Sequence, residues 1–437
     1  MSDNIDFLIK NGSCYIEGKL KKTDIGISGN KIKKIGKIEL NSSRVYDATD
    51  KLILPGIIDT QVHFREPGSI DAEDLESGSR AAVLGGVTSL FEMPNTNPPT
   101  ATLEEFEKKL RAAKNRMHSN YAFYFGATPN NTNQLAHLKN VEGCCGVKLF
   151  AGSSTGNLLV DKEADIEKVI SSSDRIVSIH SEDEDIIKLR KKFIKKGDVH
   201  SHPEWRNVEC AMSSTRRVVK IAERYNKRIH VLHVTTKEEV DFLAMHKKNV
   251  TFETTPQHLT LYAPDCYDKL GTYAQMNPPL RSKEHYDRLW LAIKNNIVDV
   301  LGSDHAPHLK ANKEKEYPSS PSGMPGVQTI FPVMIDHVNN GKLTLNQLIN
   351  LMCENPCRIF EIKNKGFIKE GFDADITIVD MNKEVVLKDE MIASKCGWTP
   401  FNNYKVKGFP VGTIVNGNLV MSEGKILIKS KGRPLKF

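Results

Sequence analysis

The sequence lacks the features of a secreted or membrane-bound protein. Its eight cysteines include no Cys-x-x-Cys pair and are too sparse for a disulfide framework in a chain of 437 residues, so we expect reduced, mostly buried thiols. No stretch offers about 18 consecutive apolar residues, and the opening MSDNIDFLIKNG has no charged segment before a long apolar run. These absences predict a cytoplasmic protein with no membrane contact.

A large excess of one charge is also missing. Lys and Arg number 61 against 54 Asp and Glu, which gives a net charge of +7. The densest basic run, KLRKKFIKK at residues 188–196, has no nucleic-acid motif or aromatic platform beside it, so a solvated helix face is the better interpretation. We expect no nucleic-acid partner, and a modestly basic enzyme suits an anionic small-molecule substrate.

Hydrophobic residues make up 39% of the chain, enough for a full core, and eight short apolar runs recur along it. The runs lie at residues 57–62, 87–92, 121–125, 145–150, 176–180, 229–233, 250–253 and 298–303. Segments with helical periodicity separate most of them, for example residues 73–84, 103–117 and 208–225. Eight strands alternating with helices predict a parallel (β/α)8 barrel of the TIM type, with the seventh strand the weakest.

The two ends of the chain have a different pattern. Residues 6–52 and 368–431 contain short alternating segments separated by Gly and Asn turns. Since these segments flank the barrel, we expect one small β-sandwich domain built from both termini. The predicted boundaries are 1–52 and 366–437 for the two parts of the small domain, and 53–365 for the catalytic barrel.

Ionisable residues cluster where the apolar runs end. They are Asp59, His63, Lys148, His180, His233 and Asp304. In a parallel barrel these positions converge on the C-terminal mouth, where the reacting groups of such enzymes lie. A single histidine at a strand end is more often a structural hydrogen-bonding group, but three in register with Asp and Lys favour a Zn²⁺ site. Because such a metal polarises a carbonyl and activates water, the set predicts hydrolysis or condensation, with Asp304 moving the proton.

Seven ordered motifs spread over almost the whole chain carry a family resemblance. PGIIDTQVHFREPG, EMPNT, GVKLF, SIHSED, HVLHVTT, MNPPLR and GSDHAPH together resemble the dihydroorotases of the amidohydrolase superfamily. The later segments GFIKEGFDADITIVD, WTPF and TIVNG resemble the return of such chains into their small β domain. The resemblance implies the reversible cyclisation of N-carbamoyl-L-aspartate to L-dihydroorotate in pyrimidine biosynthesis. We also expect a homo-oligomer, in the simplest case a dimer.

The resemblance also implies roles for the metal-site residues. His63 and Asp304 would bind the more buried of one or two zinc ions, and His180 and His233 would bind the second. Lys148, carboxylated on its side-chain nitrogen, would bridge them. GVKLF places Lys148 inside an apolar strand, where an unmodified ammonium is expensive. Asp161 is a fallback for the bridge, because some relatives use an aspartate.

The first motif departs from the family pattern. The superfamily's Asp-x-His-x-His reads Asp59-Thr60-Gln61-Val62-His63 here, so a glutamine replaces one ligand histidine. A neutral amide oxygen is a poor zinc ligand beside imidazole. The first site therefore binds metal weakly, holds another ion or is empty, and single-metal operation stays open.

The substrate must be inferred from groups outside the metal set. Dihydroorotate carries a carboxylate, which a planar guanidinium such as that of Arg65 recognises well. By resemblance, Asn95 and His308 would complete this carboxylate pocket, and Asn277 with backbone groups near Gly323 would bind the ring. Residues 317–326, rich in Pro, Ser and Gly, either fold over the substrate or form an ordinary connector.

Two other functions remain open. Gln61 motivates a catalytically weak or inactive homologue that serves as a structural partner of aspartate transcarbamoylase. A dihydropyrimidinase or allantoinase would instead act on uncharged rings and be indifferent to replacement of Arg65. The surviving His63, Lys148, His180, His233 and Asp304 favour an active dihydroorotase.

Overall fold

The computed structural model describes residues 5–39, 42–154, 156–429 and 431–437. The chain begins with seven short strands. They are β1 (Phe7–Lys10), β2 (Ser13–Ile16), β3 (Lys19–Lys22), β4 (Asp24–Ser28), β5 (Lys31–Gly36), β6 (Val45–Asp47) and β7 (Leu52–Pro55). Tight turns join neighbours: β2 and β3 form an antiparallel hairpin whose turn residues Glu17 and Gly18 both have positive φ, 52° and 77°. Such φ values match the twist of the two strands.

Eight parallel strands follow and form the barrel. They are β8 (Ile57–Val62), β9 (Val87–Glu92), β10 (Asn120–Gly126), β11 (Cys144–Phe150), β12 (Val177–His180), β13 (Ile229–Val231), β14 (Val250–Thr254) and β15 (Val300–Leu301). Strands that follow one another in the chain are neighbours in the sheet. Because parallel strands are covered on both faces, they appear in sequence as continuous apolar runs. The predicted (β/α)8 barrel is confirmed.

The barrel closes between β8 and the segment after β15. Val62 forms a parallel bridge with His305, and the His63 N–H donates to the His305 carbonyl at 2.7 Å. The Ser303 N–H donates to the Asp59 carboxylate at 2.9 Å, so a side chain takes the place of a ladder bond. The weakest strand is therefore the eighth, with two residues, whereas the seventh, expected to be weak, has five.

Fourteen α-helices are found in the described residues, and the longer ones cover the barrel. They are α1 (Leu75–Leu84), α2 (Leu103–Ala113), α3 (Glu163–Ser172), α4 (Glu184–Arg190), α5 (His202–Trp205), α6 (Val208–Arg224), α7 (Lys237–Ala244), α8 (Pro256–Thr260), α9 (Asp265–Leu270), α10 (Lys283–Lys294), α11 (Lys310–Lys313), α12 (Ile330–Asn339), α13 (Leu345–Ile349) and α14 (Asn355–Phe360). Side-chain caps set their starts: Asp74 and Thr236 each form a capping box before α1 and α7.

Four strands near the C-terminus extend a sheet of N-terminal strands, which the first of them joins by pairing with β7. They are β16 (Ile376–Val386), β17 (Lys405–Val415), β18 (Asn418–Ser422) and β19 (Lys425–Ile426). One sheet has the order β5-β4-β1-β6 and the other β19-β18-β17-β16-β7-β2-β3. A shared apolar core, which includes Ile9, Ile27, Ile53 and Ile376, lies between the sheets. Both ends of the chain therefore build this β structure, as expected.

The last segment of the chain contacts the barrel. The Tyr121 N–H donates to the Arg433 carbonyl at 3.1 Å, and the Leu435 N–H donates to the Tyr121 carbonyl at 2.8 Å. The domain boundaries 1–52, 53–365 and 366–437 stay a prediction. All eight cysteines are buried and free, as expected. In the described part of the chain, no helix is both long and apolar enough to cross a membrane.

Candidate active site

A polar cavity opens at the C-terminal mouth of the barrel. Nine of the ten predicted site residues line it: His63, Arg65, Asn95, Lys148, His180, His233, Asn277, Asp304 and Gly323. The tenth, His308, lines an adjacent depression of about 240 Å³ that shares Arg65 and Asn95 with the cavity. The topology therefore brings the predicted set together from eight separate stretches of sequence.

Three of these residues have a strained backbone. Arg65, His233 and Asp304 have φ values of 59°, 38° and 45°, in the left-handed region that residues other than Gly rarely adopt. Each follows a barrel strand closely in the chain. Strain of this kind costs about 1–3 kcal/mol per residue and persists where surrounding structure enforces it, which is typical of functional sites.

His63 and Asp304 form the first pair of metal-type ligands. The Nδ1 atom of His63 lies 2.7 Å from Asn95 Oδ1, so we infer that Nδ1–H donates and that Nε2 carries the lone pair. That Nε2 atom is 3.2 Å from Asp304 Oδ1. Burial lowers the pKa of His63 well below its usual range and raises that of Asp304. A lone pair thus faces a carboxylate oxygen, an arrangement that a cation between them would stabilise.

Gln61 joins this pair through Asp304. Its Nε2 donates to Asp304 Oδ1 at 2.9 Å, whereas its Oε1 is buried and has no hydrogen-bond partner. Flipping the amide would put two oxygens in contact, so the orientation is fixed by the carboxylate. The glutamine therefore supports Asp304 and leaves one buried oxygen unsatisfied.

His180 and His233 form the second pair. His180 Nδ1 lies 3.1 Å from His233 Nε2, and His180 Nε2 lies 2.9 Å from Glu182 Oε2. The Arg206 guanidinium, itself buried, holds the same carboxylate at 2.5 Å and also donates to the Ser153 carbonyl at 2.6 Å. Glu182 therefore fixes the orientation of His180, as carboxylates do for ligand imidazoles. Burial lowers the pKa of both histidines, which keeps them neutral and able to bind metal.

Lys148 lies in β11 and lines the same cavity as the two pairs. Its side chain is 1% exposed, and its ammonium nitrogen lies 4.5 Å from the centroid of the Phe150 ring. Burial lowers the pKa of this ammonium, while Asp304 and Glu253 oppose the shift. The neutral amine, which is the form that can react with CO2, is therefore more populated than in an exposed lysine.

The donor set fits zinc in chemistry and spacing. Two ligand atoms about 2.1 Å from a tetrahedral ion are roughly 3.4 Å apart, close to the 3.1 and 3.2 Å separations of the two pairs. Within the described ranges, no three His, Cys, Asp or Glu side chains are grouped closely enough to hold an ion by themselves. Each pair therefore needs a further donor, which a carboxylated Lys148 could supply to both.

Arg65 provides the cationic wall of the cavity. It is 6% exposed, and its Nε donates to the Pro307 carbonyl at 3.2 Å. His308 Nε2 lies 3.0 Å from the Ser322 carbonyl and 3.4 Å from an Arg65 Nη atom. Since burial and Arg65 keep the pKa of His308 well below its usual range, we infer a neutral ring that donates to Ser322. Arg65 lines both the cavity and the adjacent depression. It therefore brings a positive charge to the wall that the two share.

The ring-binding residues predicted near the mouth are also in place. Asn277 Oδ1 lies 3.0 Å from His202 Nε2, which sets the orientation of its amide. The Gly323 N–H donates to the Gln275 carbonyl at 2.9 Å, so the N–H is not available to a ligand. A Cβ atom on Gly323 would lie 2.6 Å from the Ala306 carbonyl oxygen, so only glycine fits. Of residues 317–326, Ser322 and Gly323 line the cavity.

The predicted alternative to Lys148 lies outside the cavity, and two residues that were not predicted support the site. Asp161 pairs with Lys188 at 3.4 Å and does not line the cavity, so it is no substitute for Lys148. Glu182 and Arg206 were missed by the sequence analysis. Glu182 follows His180 by two residues, so the alternation of a strand could have suggested it, whereas Arg206 is 24 residues further on and gives no such signal.

Known proteins are similar to this chain over nearly its whole length. The model of the amidohydrolase family matches residues 52–420. A protein named dihydroorotase from Pyrococcus furiosus is 36% identical, with 97% of this chain and 95% of that protein covered. One of the same name from Methanosarcina acetivorans is 34% identical, with 97% and 94% covered. Among solved structures, the L-hydantoinase (dihydropyrimidinase) of Arthrobacter aurescens superimposes with a TM-score of 0.94 at 28% identity, covering 99% of this chain and 100% of that one.

Proposed function

Since the chain belongs to the amidohydrolase family, we propose that it interconverts N-carbamoyl-L-aspartate and L-dihydroorotate. The observation that carries the proposal is the cavity itself, in which two pairs of metal-type ligands face the buried guanidinium of Arg65. Relatives named dihydroorotase, similar over nearly the whole chain, support it.

Arg65 would bind the substrate carboxylate, because a guanidinium offers two parallel N–H donors to one carboxylate. Burial lowers the pKa of Arg65 only to about 10, so the charge is kept at neutral pH. Asn95, fixed against His63, and His308, fixed against Ser322, would flank that carboxylate. Asn277 and the backbone carbonyl of Gly323 would hold the ring, since the Gly323 N–H is bonded to Gln275.

Asp304 would move the proton. In hydrolysis it accepts a proton from water as the water oxygen bonds to the ring carbonyl carbon, and it returns the proton to the leaving nitrogen as the ring C–N bond breaks. Ring closure uses the same steps in reverse. Burial raises the pKa of Asp304, which makes its carboxylate a stronger base near neutral pH than an exposed aspartate. Opening the ring creates a second carboxylate and releases a proton, so hydrolysis should dominate at higher pH.

We propose one or two zinc ions as the metal. His180 and His233 would hold one ion, His63 and Asp304 the other, and a carboxylated Lys148 would bridge them. A bound ion would supply polarisation of the ring carbonyl and acidify water. Glu182 and Arg206 would keep His180 aligned. A cytoplasmic location, a homo-oligomer and association with aspartate transcarbamoylase stay predictions.

The structural likeness to a hydantoinase motivates a second candidate, hydrolysis of uncharged cyclic amides. Arg65 opposes it, because a buried cation in the cavity wall weakens binding of a ring that offers it no anion. An inactive structural homologue, the other alternative, has no need of a buried lysine and two aligned ligand pairs.

Turnover assays on metal-analysed protein test the proposal. We expect ring opening of L-dihydroorotate and ring closure of N-carbamoyl-L-aspartate, with at least one zinc per active chain. Lack of turnover in both directions with zinc supplied would show that the enzymatic proposal is wrong.

A further inference from the structure

A lysine with no exposed surface lies behind the wall of the cavity. Lys313, at the end of α11, is 0% exposed, and its Nζ donates to the carbonyls of Gln275 at 3.1 Å and Pro321 at 2.8 Å. The ring of Trp398 covers it, with the nitrogen 5.8 Å from the ring centroid. Because burying an amine is unfavourable unless its hydrogen bonds are made, this is a specifically built contact.

Gln275 extends the contact to three residues at the wall or next to it. Its carbonyl accepts from both Lys313 and the Gly323 N–H. Its side-chain Nε2 donates to the Ser320 carbonyl at 3.1 Å and the Ser322 hydroxyl at 3.0 Å. Its Oε1 accepts from the Ser320 hydroxyl at 2.6 Å. One buried glutamine therefore fixes Ser320, Ser322 and Gly323 through main chain and side chain together, while Lys313 holds Pro321.

Trp398 links this cluster to the carboxylate side of the cavity. Its Nε1 donates to the His308 carbonyl at 2.7 Å, while the His308 ring contacts the Ser322 carbonyl. Trp398 comes from the C-terminal part of the chain, in the WTPF motif, and lies in an apolar cluster with Tyr317 and Met324. We name Gln275, Lys313 and Trp398 the brace.

We propose that the brace is a positioning element that sets the width of the substrate cavity between Asn277 and Gly323, and thereby selects the ring that fits. Asn277 follows Gln275 by two residues. The same short segment therefore places Asn277 in the cavity lining and, through Gln275, holds Gly323 in that lining. Gly323 has no room to adjust, since it already lies against Ala306. Weakening the brace should therefore loosen substrate binding without removing any group that takes part in the chemistry.

The proposal rests on the proposed function only for the identity of the ring. Lys313→Met tests it, because methionine keeps the unbranched apolar stem and removes the donors. Lys315→Met, two residues away and exposed, is the matched control. The two readouts are hydrogen–deuterium exchange of residues 318–324 by mass spectrometry, and KM and kcat for L-dihydroorotate.

In Lys313→Met we expect exchange of residues 318–324 to accelerate about tenfold or more, as loss of two buried hydrogen bonds implies. KM should rise about tenfold, kcat should change less than about threefold, and Lys315→Met should behave as wild type. Exchange and KM both unchanged in Lys313→Met would overturn the proposal, as would equal effects in Lys315→Met. If Lys313→Met does not fold, Ser320→Ala, which removes one brace hydrogen bond, should shift both readouts in the same direction, and no shift would overturn the proposal.

The exchange comparison needs no turnover. A wild-type protein inactive on dihydroorotate would therefore contradict the proposed function, while the exchange data would still decide whether the brace orders the wall.

Discussion

Replacing Asp304 by asparagine tests the assignment of the proton-carrying group. Asparagine keeps the shape, and its Oδ1 can still accept the 2.9 Å hydrogen bond from Gln61 Nε2. Because burial raises the pKa of Asp304, the ionised carboxylate is unfavourable there, and the neutral variant should fold at least as stably as wild type. The variant loses the group that accepts and returns the proton, and with it the charge of one proposed metal ligand.

Loss of a general acid or base lowers rates by about 10² to 10⁴, which is roughly 3–5 kcal/mol of transition-state stabilisation at 1.36 kcal/mol per decade. We expect kcat to fall by at least that factor in both directions, with KM changed little. Since Asp304 is also a proposed ligand, kcat must be measured at saturating zinc with metal content determined on the same sample. Asp287→Asn, at an exposed ion pair with Lys283, is the control. More than about a tenth of the wild-type rate would show that the base is elsewhere.

Three further predictions concern binding, metal and pH. Arg65→Lys should raise KM for dihydroorotate about 10- to 100-fold, because an ammonium cannot make two parallel hydrogen bonds to one carboxylate; an unchanged KM would make Arg65 structural. Gln61→His should increase the zinc content per chain in protein prepared without excess zinc, because imidazole is a better zinc ligand than an amide. Two tightly bound ions already present in wild type would contradict the prediction that Gln61 weakens the first metal site. Burial lowers the pKa of Lys313 to about 7, below the ~10.4 of a free lysine. Between about pH 7 and 10 the folded protein therefore binds fewer protons than the unfolded chain, so its stability should rise as the pH is raised through this range. Thermal unfolding should show this gain reduced in Lys313→Met, and parallel pH trends in the two proteins would refute it.

The barrel was predictable because its strands are buried on both faces. Residues 57–62 and 87–92 were predicted as apolar runs and form β8 and β9 with those limits. The eighth strand was predicted over residues 298–303, yet only Val300 and Leu301 pair in the sheet. There the Asp59 carboxylate binds the Ser303 N–H, and no local pattern shows that a side chain 244 residues away replaces a ladder bond.

Site residues were predictable where an ionisable residue directly follows a barrel strand. They were not predictable where the contact depends on how distant segments pack together. His63, His180 and His233 could be placed at the mouth from the sequence alone. Asn95 was expected beside the substrate carboxylate. The structure adds a contact between Asn95 and His63 that fixes the tautomer of the His63 imidazole. The Gln275–Lys313 contact joins residues 38 apart through a main-chain carbonyl, which carries no sequence signal.

The central claim is that this cavity acts on an anionic ring, although its fold closely matches that of a hydantoinase. The most direct measurement is the ratio of kcat/KM for L-dihydroorotate to that for dihydrouracil, which lacks the carboxylate, on the same metal-analysed wild-type protein. A charge-assisted interaction contributes about 1.5–3 kcal/mol, so we expect a ratio of at least about 10 and up to 100 or more in favour of dihydroorotate. A ratio near one, or one that favours dihydrouracil, would contradict it.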